Sequence, residues 1–144
     1  MYLTASYEMY YSNDEGSSWM PCTHIITSQS DQVLGIDPRD NHHLYAATQG
    51  NGILTSTDGC QSWEQSNNGL GSLFVNAIVM DPNNPDIIYT GTDGGAYVSF
   101  NGGQTWGQIN EGLLGATVVY SIVVDKDSNV YAATPYGIFK LETR

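Results

Sequence analysis

Carboxylates are the groups best supplied for chemistry in this chain: 15 acids stand against four cations, Arg39, Lys126, Lys140 and Arg144, for a formal net charge of -11. Two carboxyl groups about 5 to 9.5 Å apart across one cleft can share the acid, base and nucleophile roles of glycosidic hydrolysis. Other chemistries have less material. There is no Gly-x-Ser-x-Gly, no phosphate loop and no His-Glu-x-x-His. Asp125-Lys-Asp-Ser-Asn129 starts like a calcium loop, but Val130 stands where the sixth-position glycine belongs and Tyr136 where the twelfth-position Glu belongs. It reads as a strand-to-strand turn. His42 and His43 read as solvated residues of the equivalent turn, and extended neighbours point to opposite faces, which makes a poor chelating pair. No metal and no cofactor is expected.

Which acids can meet depends on the elements that carry them, and a repeat sets those elements. Ser12-Asn-Asp-Glu-Gly-Ser-Ser-Trp19, Ser56-Thr-Asp-Gly-Cys-Gln-Ser-Trp63 and Ser99-Phe-Asn-Gly-Gly-Gln-Thr-Trp106 share one pattern, with the serines 44 and 43 residues apart. A fixed period of this size marks a repeated supersecondary unit. In register with it are three apolar runs closed by aspartate, Val33–Pro38, Val75–Pro82 and Val118–Asp125. Their Val and Ile content and bounding turns predict a first strand buried on both faces. A second strand follows at Leu44–Thr48, Ile88–Thr92 and Val130–Thr134, and a third at Gly52–Ser56, Ala96–Ser99 and Gly137–Leu141. The serine motif then turns the chain, with Gly supplying positive φ and Asp or Asn binding the local backbone, and a fourth strand starts near the Trp. Four antiparallel strands in about 43 residues is the size of a propeller blade.

The expected fold is therefore all-β, with almost no helix, and about three and a half blades. Met1–Ala5 aligns with a second strand and Leu141 falls at a fourth serine position. The predicted division of the single segment 1–144 is a partial blade over 1–30, blades over 31–73 and 74–116, and a partial blade over 117–144, fourteen strands in all. The acidity argues against nucleic acid and anionic membrane surfaces as partners. No apolar run reaches the roughly 20 residues of a membrane helix, and the start, MYLTASYEMYYS, lacks the features of a signal peptide. Cys22 and Cys60 are too few for a disulfide framework and fall at unrelated places in the repeat, so both are expected as free thiols.

The three motifs closely resemble the Asp-box, or BNR repeat, Ser-x-Asp-x-Gly-x-Thr-Trp, and the phrase from Ile78 to Trp106 looks like blades of xyloglucan-active glycosidases, sortilin and photosystem II assembly-factor proteins. The resemblance spans essentially the whole chain. It implies that the Asp-box lies between third and fourth strands, away from the usual ligand face, as a folding device. Structural roles follow for Ser12, Asp14, Gly16, Ser18 and Trp19, for Ser56, Asp58, Ser62 and Trp63, and for Ser99, Asn101, Gly103, Thr105 and Trp106. Departures are Asn101 for Asp, Cys60 for Gly and Glu15 for a neutral residue. Sialidases also carry Asp-boxes, but their arginine clamp cannot be built from Arg39 and Arg144 alone.

Placed in the repeat, most acids belong to Asp-boxes or to turns after the first strands, on the Asp-box side. Only Glu8, Asp31, Asp93 and Glu111 fall in loops of the opposite face, each in a different part of the repeat, with no matched pair. Glu8 and Asp93 are the weak catalytic candidates. The face also offers Ser6, Tyr7, Glu8, Gln49, Asn51, Asp93, Pro135 and Tyr136, of which Tyr7, Glu8, Gln49, Asn51, Asp93 and Tyr136 are the candidate ligand-binding residues for a sugar or peptide. The expected function is a non-enzymatic binding or scaffold module, its face for glycan or protein formed on oligomerisation. The alternative is a glycoside hydrolase whose site is completed only in the assembly. Propellers close with at least four blades, so a homo-oligomer is expected, a dimer of six or eight blades first; a four-bladed monomer and a piece of a longer propeller are the other readings.

Overall fold

The computed structural model describes residues 1–5, 8–22, 32–113, 115 and 117–142. Among them fourteen strands form four antiparallel sheets and no helix occurs. Blade 1 comprises β1 (Tyr2–Ala5), β2 (Glu8–Tyr11) and β3 (Met20–Pro21); blade 2 comprises β4 (Gln32–Asp37), β5 (Asp40–Thr48), β6 (Gly52–Ser56) and β7 (Glu64–Gln65). Blade 3 comprises β8 (Val75–Met80), β9 (Ile88–Thr92), β10 (Gly95–Ser99) and β11 (Gly107–Gln108), and blade 4 comprises β12 (Ser121–Val124), β13 (Val130–Thr134) and β14 (Gly137–Leu141). Each sheet is a simple meander in chain order, so every local turn positions a strand beside its sequence neighbour.

Three apolar layers hold the blades together. Between blades 1 and 2 lie Met9, Leu44, Ala46, Leu54 and Cys60, with Tyr2, Tyr11, Cys22, Leu34 and Trp63 against them. Between blades 2 and 3 lie Tyr45, Ala47, Ile53, Val75, Ile78, Ile88, Tyr97 and Trp106. Between blades 3 and 4 lie Tyr89, Ala96, Val98, Val119, Ile122, Val130, Ala132 and Leu141, together with Leu113. Alternation along each strand sends successive side chains to opposite faces: Leu44 and Ala46 face blade 1, while Tyr45 and Ala47 face blade 3. A middle strand is thus buried on both sides, and every residue of β9 and β10 is buried.

The first strands differ from expectation. Val33 and Ile36 are each 40% exposed and Val123 59%, although double-sided burial is predicted for those runs. The reason is coverage: β8 is packed by β4 and β5 on one side and by β12 on the other and keeps Val75, Ala77 and Ile78 buried, whereas among the described residues β4 and β12 each meet another blade's first strand on one side only. A continuous apolar run does not by itself separate an edge strand from a central one. The histidines also differ. His42 and His43 lie within β5, which begins at Asp40, and the turn proper is Pro38 and Arg39. His43 stacks on Tyr45 at 4.7 Å between ring centroids, and His42 sits against Asp40.

This layering separates two truncations. Ile88→Ala, at a fully buried site, should cost about 2 to 5 kcal/mol, whereas Val33→Ala on an edge strand should cost under about 1 kcal/mol. Urea unfolding midpoints of the two variants check the difference, and equal losses would contradict it.

Candidate functional site

The Asp-boxes lie between β2 and β3, β6 and β7, and β10 and β11, and they share one hydrogen-bond scheme. The first serine is buried, 2%, 2% and 0% exposed at Ser12, Ser56 and Ser99. Its hydroxyl donates to Oδ1 of Asp14, Asp58 or Asn101 at 2.8, 2.8 and 2.9 Å. Its oxygen accepts the amides of Gly16, Cys60 and Gly103 at 2.8, 2.9 and 2.8 Å. The Asp or Asn oxygen then accepts the amide of Ser18, Ser62 or Thr105 at 2.8, 2.9 and 3.0 Å. Asn101 reverses only the last bond, its Nδ2 donating to Thr105 Oγ1 at 2.9 Å where Asp14 and Asp58 accept from serine hydroxyls at 2.6 Å. The acceptors are consumed inside the turn, so the motif offers little to a ligand.

The second and third of these turns also dock on the preceding blade. Trp106 Nε1 donates to Ser66 O at 2.7 Å, and the Ser66 hydroxyl donates to Gly103 O. At the equivalent places of the first junction stand Cys22 and Cys60, joined by a disulfide with a Cα–Cα distance of 5.3 Å. The free-thiol expectation is therefore wrong. Two cysteines are few, but the repeat brings their positions together exactly as it brings Ser66 to Gly103, and that spacing is within reach of a bridge. Cys60 also holds a φ of 72°, a region that favours the glycine it replaces. Trp63 Nε1, the counterpart of Trp106 Nε1, is buried with no hydrogen-bond partner among the described residues.

At the other end of the blades lie the hairpins between second and third strands, and here a ladder of amides and a carboxylate crosses two blade boundaries. Gln49 Nε2 donates to Val75 O at 3.0 Å and to Asn76 Oδ1 at 2.8 Å. Asn76 Nδ2 in turn donates to Asp93 Oδ1 at 2.9 Å and to Val119 O at 3.1 Å. Gln49 and Asp93, both candidates from the sequence, are thus brought together through Asn76, which sequence reasoning missed. Pro135 occupies their place in blade 4 and has no side-chain donor to continue the ladder. Tyr136 beside it is 76% exposed. The carbonyl of Asn51 accepts Asn67 Nδ2 at 3.0 Å, while Asn67 Oδ1 accepts the Ile53 amide at 2.8 Å. Asn110 repeats that cap on Ala96 at 2.8 Å, so an Asn four residues after the Trp is a second repeated device, visible in the sequence as a recurring Trp-x-x-x-Asn.

Glu8 lies on β2, exposed, and accepts a hydrogen bond from the Tyr10 hydroxyl. Blade 2 stands between it and Asp93, so the two weak catalytic candidates do not form a pair. Tyr7 and Asp31 lie outside the described residues. A polar cleft of about 200 Å³ between blades 2 and 3 is lined by Thr55, Glu64, Ser66, Asn68, Gly103 and Gln104 among others, with Glu64 its single carboxylate. Arg39 joins Asp37 on its own blade to Asp86 on the next, each at 2.7 Å, and its guanidinium holds the Asp37 carboxyl below the ordinary range. Asp125 is a turn acceptor for the amides of Asp127 and Asn129, both at 2.9 Å, and for the Asn129 side chain.

Fold and turns together define a run of β-propeller blades joined through Asp-boxes. The model of the family described as Sortilin, neurotensin receptor 3 (Sortilin-Vps10) matches residues 7–135. The chain belongs to that family. Among solved structures it is similar to an ancestral GH74 enzyme (TM-score 0.75, 21% identity, covering 97% of this chain and 21% of that one). It is also similar to the GH74 xyloglucanase from Xanthomonas campestris (TM-score 0.72, 17% identity, 90% and 23% covered), and to YCF48 bound to D1 peptide (TM-score 0.69, 18% identity, 96% and 44% covered). The chain thus spans from about a fifth to less than half of the length of these structures. No curated protein matches it. Among the described residues no helix is long and apolar enough to cross a membrane.

Two predictions follow from the turns and the bridge. The carboxyls of Asp14 and Asp58 are pulled down to about 2, chiefly by the hydroxyls of Ser18 and Ser62, then by the amides of those residues and by Ser12 and Ser56. A depressed folded-state pKa gives stability that is present above the unfolded value, near 4, and is lost as pH falls toward 2. Replacing both by Asn, as Asn101 already does in the third box, should flatten the decline in Tm between pH 4 and 2; an unchanged slope would contradict the assignment. Breaking the bridge removes a constraint on a loop of 38 residues' separation, worth about 2 to 4 kcal/mol. The pair Cys22→Ser with Cys60→Gly rebuilds the second junction and should be more stable than Cys22→Ser with Cys60→Ala, which keeps a side chain at positive φ; chemical denaturation ranks them.

Proposed function

We propose that this chain is a non-enzymatic propeller module whose second-to-third-strand hairpins present a binding face to a glycan or a protein segment. The observation that carries the reading is the Gln49–Asn76–Asp93 ladder. It spends one of the two candidate carboxylates, Asp93, on holding Asn76, which is bonded to the blades on either side, and the same hairpin set carries the exposed ring of Tyr136. The amides and carboxylate of the ladder hydrogen-bond hydroxyl or peptide groups, and the ring stacks on a sugar or an apolar side chain. The similar structures support both ligand classes: one holds a peptide and another is a xyloglucanase. Fold alone does not choose between them. The separation of Glu8 from Asp93 and the single carboxylate of the Glu64 cleft both favour binding over hydrolysis, which takes two facing carboxyl groups. The Cys22–Cys60 bridge supports action in an oxidising compartment.

The test pairs binding with turnover on xyloglucan and β-glucan oligosaccharides and on a peptide library. Binding without turnover is expected, with Tyr136→Ala weakening it roughly three- to tenfold. Turnover of an oligosaccharide that disappears in Asp93→Asn would replace this reading with that of a glycoside hydrolase.

A further inference from the structure

Beside the ladder lies an exposed apolar pair. Leu73 and Phe74, in the segment that leads into β8, are 42% and 45% exposed. Blades 2 and 3 on either side are each complete with four strands, so this is not the face of an unpaired blade. Both hairpins hold the backbone of the pair. Leu73 O accepts the amides of Gly50 and Gly52 from the blade 2 hairpin, both at 2.9 Å, and Phe74 O accepts the amide of Asp93 from the blade 3 hairpin at 3.1 Å. The ring of Phe74 reaches toward blade 2, where its Cε1 lies 4.0 Å from the point a Cβ would occupy on Gly50. Two exposed apolar side chains on fixed backbone, rimmed by Gln49, Asn76 and Asp93, have the make-up of a binding patch rather than of scattered surface.

Charge indicates what the patch takes. Asp93 is exposed; its Oδ1 accepts Asn76 Nδ2 at 2.9 Å, and among the described residues no donor reaches its Oδ2 and no Lys or Arg pairs with it. The described Lys and Arg residues lie at the other ends of the strands. Arg39 and Lys126 occupy the turns after β4 and β12, where Arg39 is held by Asp37 and Asp86 and Lys126 by Asp127. Lys140 pairs across the sheet with Tyr131, near the start of β13 and away from its hairpin. We infer that the patch seats a Lys- or Arg-bearing segment of another protein, with the cationic head on Asp93, its aliphatic stem along the Phe74 ring and an apolar neighbour on Leu73. A cation on a carboxylate can at the same time lie over an aromatic face, and its stem covers apolar surface. A neutral glycan brings no charge to Asp93, and an acidic segment is repelled by a chain of net charge -11. The inference rests on the hairpin-face reading above and names the class of partner for that face.

Fluorescence anisotropy of short labelled peptides that carry Lys, norleucine or Glu between two leucines tests this on the full chain. The Lys peptide should bind about tenfold tighter than the norleucine peptide, and the difference should shrink between about 0.05 and about 0.5 M salt. Asp93→Asn, which keeps an oxygen for Asn76, should bring the Lys peptide down to the level of the norleucine peptide and leave the latter unchanged. Phe74→Leu keeps the apolar character and removes the aromatic face. It should lower the Lys preference to about threefold, and it gives the second reading if Asp93→Asn does not fold. Equal affinities for the three peptides, tighter binding of a xyloglucan oligosaccharide than of the Lys peptide, or displacement by spermine as readily as by unlabelled Lys peptide would each overturn the cationic segment while leaving the face as a binding surface. Binding of none of these probes would overturn both.

Discussion

A buried serine hydroxyl sets the geometry of the turn that follows the third strand in blades 1, 2 and 3. Ser12, Ser56 and Ser99 are buried, and each answers its burial by donating to an Asp or Asn and accepting the amide four residues on. An unsatisfied hydroxyl there would cost about 1 to 3 kcal/mol, so the turn has one arrangement. In the second and third boxes that arrangement fixes where Trp63 and Trp106 enter the preceding layer, which in turn fixes blade against blade. The repeat length is the visible trace of this constraint.

The junctions show how one layout accepts different chemistry. The second junction uses the Ser66 hydroxyl on Gly103 O and the Trp106 indole on Ser66 O. The first uses a covalent bond between Cys22 and Cys60 at the same places, with a Trp63 indole that has no described partner. A backbone at positive φ at Cys60 is tolerable where a bridge constrains the unfolded chain. The opposite end of the blades is joined differently, by the Gln49–Asn76–Asp93 ladder and by the Asn67 and Asn110 caps. Both ends of the blades are thus tied, and the hairpin tips are free to differ.

Much of this was legible in the sequence because the devices are local and repeated. Serine, Asp or Asn, Gly and Trp at fixed offsets reveal turns, and alternation reveals strands, so the four sheets and their order follow. What was not legible depends on comparison between repeats in space. Cys22 and Cys60 look unrelated when each is counted along its own motif; only the knowledge that position 66 touches position 103 makes 22 and 60 partners. Asn76 was missed because its role is to span two blades. The runs around Val33 and Val118 look like buried strands because composition reports apolarity, whereas exposure is set by how many neighbouring blades pack on the strand, two for β8 and one for β4 and β12 among the described residues. On the candidate face Gln49, Asp93 and Tyr136 are candidates by their place in the hairpins, and the coupling of Gln49 to Asp93 through Asn76 is visible only in the structure.

The central claim is that the Asp-box is a junction device whose amides are sealed by the serine hydroxyl. Native-state hydrogen exchange of the Gly16, Cys60 and Gly103 amides and of the Trp106 indole tests it most directly. The account predicts that these protons exchange as slowly as those of β9 and β10, through opening of whole blades, and that their rates are unmoved by any ligand of the hairpin face. Fast exchange at these turns while the middle strands stay protected would contradict it.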